Sequence, residues 1–143
     1  MTVPMKTASA RVFSDYLTEK GIKWRESEGG DTDCIRLLYG GDNKDDINLA
    51  CFFDDDEETM AIRCFDIGKV PKNKMDAVLV ALNEVNGRYK WVRFYVDKDN
   101  DIIACLDTEI TVETAGIVGR RCVSICVQII DEAYPTLMKA IWS

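Results

Sequence analysis

An α+β domain is predicted: an antiparallel sheet of five to six strands with helices packed on it, in the order helix, three or four strands, helix, two strands, helix. Three observations carry this. Apolar residues alternate with their neighbours in several short stretches, the period of a strand with one buried face. Three longer stretches space their apolar residues three and four apart, the period of a helix. The links between successive strand patterns are short, which implies hairpins and antiparallel pairing. At 143 residues, with no internal repeat and no linker, residues 1–143 are expected to form one domain.

The elements follow in order. Residues 7–20, TASARVFSDYLTEK, place Val12, Phe13, Tyr16 and Leu17 on one side of a helix that Gly21 ends. IKWRESE suits a short strand, and GGDTD turns the chain with two glycines to which positive φ is open. Three strand patterns follow. Ile35, Leu37 and Tyr39 share a face, then Ile47, Leu49, Cys51 and Phe53, then Met60, Ile62 and Cys64. Between the last two lies the acidic run Asp54–Glu58, either a solvated hairpin tip or a cation site.

VPKNKMDAVLVALNEVNG is the clearest helix. Pro71 stands at its start, Met75, Val78, Leu79, Leu82 and Val85 form its apolar stripe, and Asn86 with Gly87 is expected to end it. In KWVRFYV, Val92, Phe94 and Val96 face one way and Trp91, Arg93 and Tyr95 the other. In IIACLDTEI, Ile102, Ala104, Leu106 and Ile110 oppose Ile103, Cys105, Asp107 and Glu109. From about 112 to 132 the spacing is helical again, with a stripe of small residues, Ala115, Gly119, Cys122 and Cys126. Such a stripe permits close packing on the sheet or lines a groove. Tyr134–Pro135 is expected to interrupt this helix, with a short terminal piece packing back.

Composition excludes much. The formal charge is −7, from 25 acidic and 18 basic residues, which argues against nucleic acid or an anionic membrane as the main partner. The longest apolar run, AVLVAL, is far short of the roughly 20 residues that cross a membrane. The start lacks the apolar stretch of a signal peptide. Six cysteines without a CxxC, five of them inside apolar patterns, suit a reducing compartment, so the cytoplasm is the expected address. Histidine is absent, so no Ser-His or Cys-His pair can form. Cys122 and Cys126 could share a helix face, but a zinc site needs two further ligands that nothing nearby supplies. No catalytic residue, cofactor or metal ligand is expected.

Asp97, Asp99 and Asp101 begin like a calcium loop. The sixth position is Ile102 in place of glycine, and the twelfth is Thr108 in place of glutamate. A hairpin fits better: a type I turn from Asp97, Asn100 in the left-handed position, and Val96 paired with Ile102. That register sets Trp91, Arg93 and Tyr95 beside Cys105 and Asp107. Two accounts stand for this outer trio. A helix or the terminal segment covers it, or an Arg93–Asp107 pair forms with the rings partly exposed. Alternatively it is a partner surface, since Trp, Tyr and Arg are common interface anchors.

The segment LNEVNGRYKWVRFYVDKDNDIIACLD resembles the signature of the YbjN-like family, bacterial domains described as sensory transduction regulators. Leu82, Asn83 and Asn86 match its LNxxN helix end, followed by a strand at 91–96, an acidic turn at 97–101 and a strand at 102–110. The order of elements and Tyr134–Pro135 are also similar, over roughly residues 8–140. The family usually has glycine in the acidic turn, where this chain has Asn100. The resemblance implies a fold like that of type III secretion chaperones, small dimeric cytoplasmic proteins that hold other polypeptides, and it carries over no catalytic residue. The expected function is a non-enzymatic protein-binding module, regulatory or chaperone-like, that forms a homodimer and binds a protein partner. An acidic, calcium-type metal-responsive sensor is the alternative, and an enzyme of unrecognised type is the third class.

Overall fold

The computed structural model describes residues 5–27 and 30–143. Helix α1 (Ala8–Glu19) is followed by strands β1 (Arg25–Glu26), β2 (Asp33–Tyr39), β3 (Ile47–Phe53) and β4 (Thr59–Lys69). A single 3₁₀ turn, Lys72–Lys74, leads into α2 (Met75–Arg88), then β5 (Arg93–Val96), β6 (Asp101–Glu109) and α3 (Ala115–Trp142). The six strands form one antiparallel sheet in the order β1-β2-β3-β4-β6-β5. The predicted α+β class and strand number therefore stand, and so does the 96–102 register: Val96 faces Ile102 and Phe94 faces Ala104.

One face of the sheet carries the helices. Ile35, Leu37, Leu49, Cys51, Phe53, Met60, Ile62, Cys64, Phe94, Ile102 and Leu106 are buried there in one cluster with residues of all three helices. Phe13 of α1 stacks at a tilt on Phe53, centroids 5.3 Å apart. Helix α1 buries Ala10, Phe13 and Leu17, while Val12 and Tyr16 stay half-buried, because the polar neighbours Ser9 and Ser14 share the buried side. The small stripe of α3 is fully used inside the chain. A Cβ on Gly119 would stand 2.7 Å from the Phe13 ring, and one on Gly116 2.8 Å from Tyr16. Gly116 and Gly119 thus approach α1, while Cys122 and Cys126 lie against the sheet beside Thr108 and Cys51, the packing that had been expected.

Several expectations are corrected. Asn86 and Gly87 do not end α2, which runs on to Arg88; positive φ is confined to Gly21, Glu57, Trp91 and Asn100 among the described residues. Asn86 instead turns its amide onto the free edge of β5, accepting from the Phe94 N–H at 2.8 Å and donating to the Phe94 carbonyl at 3.0 Å. Leu79 of the predicted stripe is exposed, and Ala81 is buried in its place. The 29–33 turn lies partly outside the described residues, and Gly30 lacks positive φ.

Pro135 does not interrupt α3. It has no N–H for the Asp131 carbonyl one turn back, and the Asn43 side-chain amide donates to that carbonyl instead, at 3.2 Å. The Asp131 carboxylate meanwhile accepts from the backbone N–H groups of Asp42, Asn43 and Lys44 at 2.8–3.1 Å. Gly41 makes room for it: a Cβ there would stand 2.2 Å from the Asp131 carboxylate. Burial alone would raise the Asp131 pKa, but the three donors hold it below the ordinary value. The β2–β3 turn and the distal half of α3 are thus tied together where the proline opened the helix ladder.

Candidate functional site

The other face of the sheet has no helix on it. Along it, Leu38 (62% exposed), Phe65 (46%), Tyr95 (44%) and Trp91 (63%) meet solvent, while Ala50 and Ile103 are buried within it. The predicted trio falls here. Arg93 stands opposite Cys105 and Tyr95 opposite Ile103. Trp91 is brought to the same end but lies outside the strand, which begins at Arg93. The Val92 N–H donates to the Lys90 carbonyl at 2.8 Å, and Trp91 between them has φ +73°. That is a γ-turn of the rare, strained kind. It swings the indole into water.

The Arg93–Asp107 pair, one of the accounts offered for the trio, does not form. Asp107 binds Arg63 at 2.7 Å, because the β4–β6 register sets Arg63 and Ala61 opposite Cys105 and Asp107. One guanidinium nitrogen of Arg93 donates to the Tyr89 and Val92 carbonyls at 3.1 and 3.2 Å, which orients the head group and leaves its charge without a carboxylate partner among the described residues. Toward the opposite edge, a groove of about 550 Å³ is lined by Lys23, Trp24, Arg36, Leu38 and Phe65, with Asp66 at its rim. Nothing in the alternation of one strand announces this groove. It needs the pairing of four strands, and Trp24 reaches it from the connection after α1.

The acidic stretches have structural partners. Asp97 accepts from the Asp99 and Asp101 N–H groups, each at 2.9 Å, and Asn100 takes φ +66°, the geometry of the hairpin turn. In the 54–58 tip, Glu57 receives the first N–H groups of α1, from Ala8 at 3.0 Å and Ser9 at 3.2 Å, while Asp54 accepts the Thr59 hydroxyl. Glu57 thus supplies α1 with a carboxylate at its positive end. Among the described residues, no three Cys, Asp or Glu side chains are grouped to hold a metal ion. No helix among them is long and apolar enough to cross a membrane.

All six cysteines carry free thiols; five are buried and Cys105 is half-buried on the outer face. Burial pushes the Cys64 thiol up to about 12, with Asp66 beside it adding to the shift. Cys51 and Cys126 are raised too, by burial and by the thiols around them. Cys105 is raised by partial burial, against the pull of Arg63. None is poised as a nucleophile.

A family model named YbjN and described as "Putative bacterial sensory transduction regulator" matches residues 9–133. No curated protein matches. Among solved structures, one likeness is the crystal structure of YbjN, "a putative transcription regulator from E. coli", with TM-score 0.58 and 14% identity, covering 87% of this chain and 90% of that one. Another is a chain of the heterodimeric ExoU-SpcU complex from the type III secretion system of Pseudomonas aeruginosa. Its TM-score is 0.56 and its identity 14%, covering 90% of this chain and 96% of that one. At that identity the likeness is one of fold, and the fold is that of a type III secretion chaperone.

Proposed function

The chain belongs to the YbjN family, and on that footing we propose that it is a non-enzymatic protein-binding module with a regulatory or chaperone-like role, working in the cytoplasm as a homodimer. The observation that carries this reading is Trp91. A large aromatic stands in water at φ +73°, a backbone conformation that costs roughly 1–2 kcal/mol for a side chain of its size. The side chain is 63% exposed and its indole has no hydrogen-bond partner among the described residues, so little there offsets that cost. Arg93 and Tyr95 beside it complete a group rich in the residue types that anchor interfaces. A chain with this fold in the ExoU-SpcU complex is assembled with another polypeptide, which supports the same use here.

A homodimer would draw on apolar surface elsewhere: Val80 on α2, and Ile117 and Trp142 on α3, are all well exposed. The small stripe of α3 is not available for it, being packed on α1 and the sheet. The absence of histidine and of any activated thiol supports the non-enzymatic reading.

The test is Trp91→Asp, followed by capture from a bacterial lysate, light scattering and thermal melting. Capture of the partner should be lost, with binding weakened by about 30-fold or more as for an anchor tryptophan. The oligomeric state and the melting temperature should hold. A variant that captures as the parent does would remove Trp91 from the surface, and a variant that melts far lower would make it a structural residue.

A further inference from the structure

The pairing register aligns charges that are distant in sequence. On the outer face, Arg25 stands opposite Arg36, Arg36 opposite Ala50, Ala50 opposite Arg63, Arg63 opposite Cys105, and Cys105 opposite Arg93. One row therefore crosses all six strands and carries four arginines, in a chain whose formal charge is −7. With strands about 4.8 Å apart, the row is about 24 Å long. Arg25 and Arg36 face each other directly, and like charges so placed weaken a strand pair. The pair they weaken is the shortest in the sheet, since β1 has two residues. Among the described residues, only Arg63 of the four has a carboxylate at ion-pair distance. Asp66, the carboxylate at the groove, is held by the Asn48 amide at 2.6 Å and by the Cys64 thiol. Apolar side chains run beside the row: Leu38, Phe65 and Tyr95 stand two residues along the strand from Arg36, Arg63 and Arg93, Trp24 lines the groove, and Trp91 precedes Arg93.

We infer that this row is a docking track for an acidic polypeptide segment of a partner protein, laid across the strands, with its carboxylates on Arg25, Arg36 and Arg93 and its apolar side chains in the groove beside Leu38 and Phe65. The inference rests on the protein-binding reading above and supplies the partner's chemistry. Guanidinium groups take carboxylates in a two-pronged geometry, which gives such a row direction as well as charge. The chain's overall negative charge, and the separation of Arg25 and Arg36 at one end of the row from Arg93 at the other, disfavour a nucleic-acid backbone, whose phosphates need a continuous cationic field, and suit a segment with a few spaced carboxylates. The chain's own acidic tip at 54–58 is engaged with Thr59 and α1, so a foreign segment is the better occupant than a second copy.

Fluorescence anisotropy with a labelled peptide of glutamates interspersed with leucines tests this, against a lysine-for-glutamate counterpart and a single-stranded oligonucleotide. The glutamate peptide should bind, more weakly as salt rises, and the other two should not. Arg36→Glu should weaken it at least about tenfold and melt no lower than the parent, because a glutamate there would stand opposite Arg25. Arg93→Glu should weaken it independently. Absence of binding, equal binding of both peptides, preference for the oligonucleotide, or full affinity in Arg36→Glu would each overturn the inference. If Arg36→Glu still retains from a lysate the proteins that Trp91→Asp loses, the track is wrong and the protein-binding reading stands. If even the parent retains none, that reading falls and takes the track with it.

Discussion

Trp91 and Asp131 show two opposite uses of a single residue. Trp91 sits in a strained turn with its side chain mostly in water and no indole hydrogen bond among the described residues. Trp91→Gly should therefore melt no lower than the parent, since glycine adopts φ +73° freely, while capture of the partner is lost; thermal melting alongside pull-down checks both halves. Asp131 is satisfied instead by three backbone N–H groups. Its folded pKa lies below the unfolded value despite the opposing effect of burial. A lowered folded pKa contributes stability above the ordinary carboxylate pKa of about 4 and loses it as pH falls through that range. Asp131→Asn should cost about 1–2 kcal/mol at neutral pH, discounted for partial exposure. The gap between parent and variant should narrow in melts below about pH 4. The outward placement of Arg93 and Tyr95 was legible from alternation alone, whereas Trp91 reaches water through a turn that alternation does not foresee. The roles of Asp131 and Glu57 were not, because their partners lie 87 to 89 and 48 to 49 residues away.

The elements repeat the pattern. Helix α3 is legible as a helix from its spacing, and the β2–β3 and β5–β6 hairpins from their matching alternation. The predicted break at Pro135 fails because local rules count the missing donor and cannot see Asn43 supplying another. A double-mutant cycle isolates that exchange. Asn43→Ala should cost about 1 kcal/mol in the parent and close to nothing in a Pro135→Ala background, where the helix ladder has its own N–H for the Asp131 carbonyl. Equal costs in both backgrounds would mean that the amide does not replace the proline's lost bond. Asn86 misled in the same way. Its side chain was assigned to a helix end, and it serves the edge of β5, whose backbone would otherwise be open to pairing with another chain.

At the scale of the whole molecule, three helices on one side leave the other side of a six-stranded sheet to carry the arginine row, the groove and the Trp91 group. The inner face could be read strand by strand from the sequence. The outer row could not, because it depends on β6 inserting between β4 and β5, a pairing between residues 59–69 and 101–109 that no turn enforces. This uncovered face is the one we propose binds protein, and the chain carries a natural reporter for it. Cys105 lies in the row between Arg63 and Arg93 and is the single half-buried thiol, the other five being buried. The most direct measurement is the rate of thiol labelling at mildly alkaline pH, resolved by residue, in the free protein and in the protein with its captured partner. One thiol, Cys105, should label ahead of the other five in the free protein, and its rate should fall by about tenfold or more in the complex, as for a site opening only with the bound state's dissociation. Labelling of Cys105 at an unchanged rate in the complex would contradict the claim and place the partner elsewhere on the molecule.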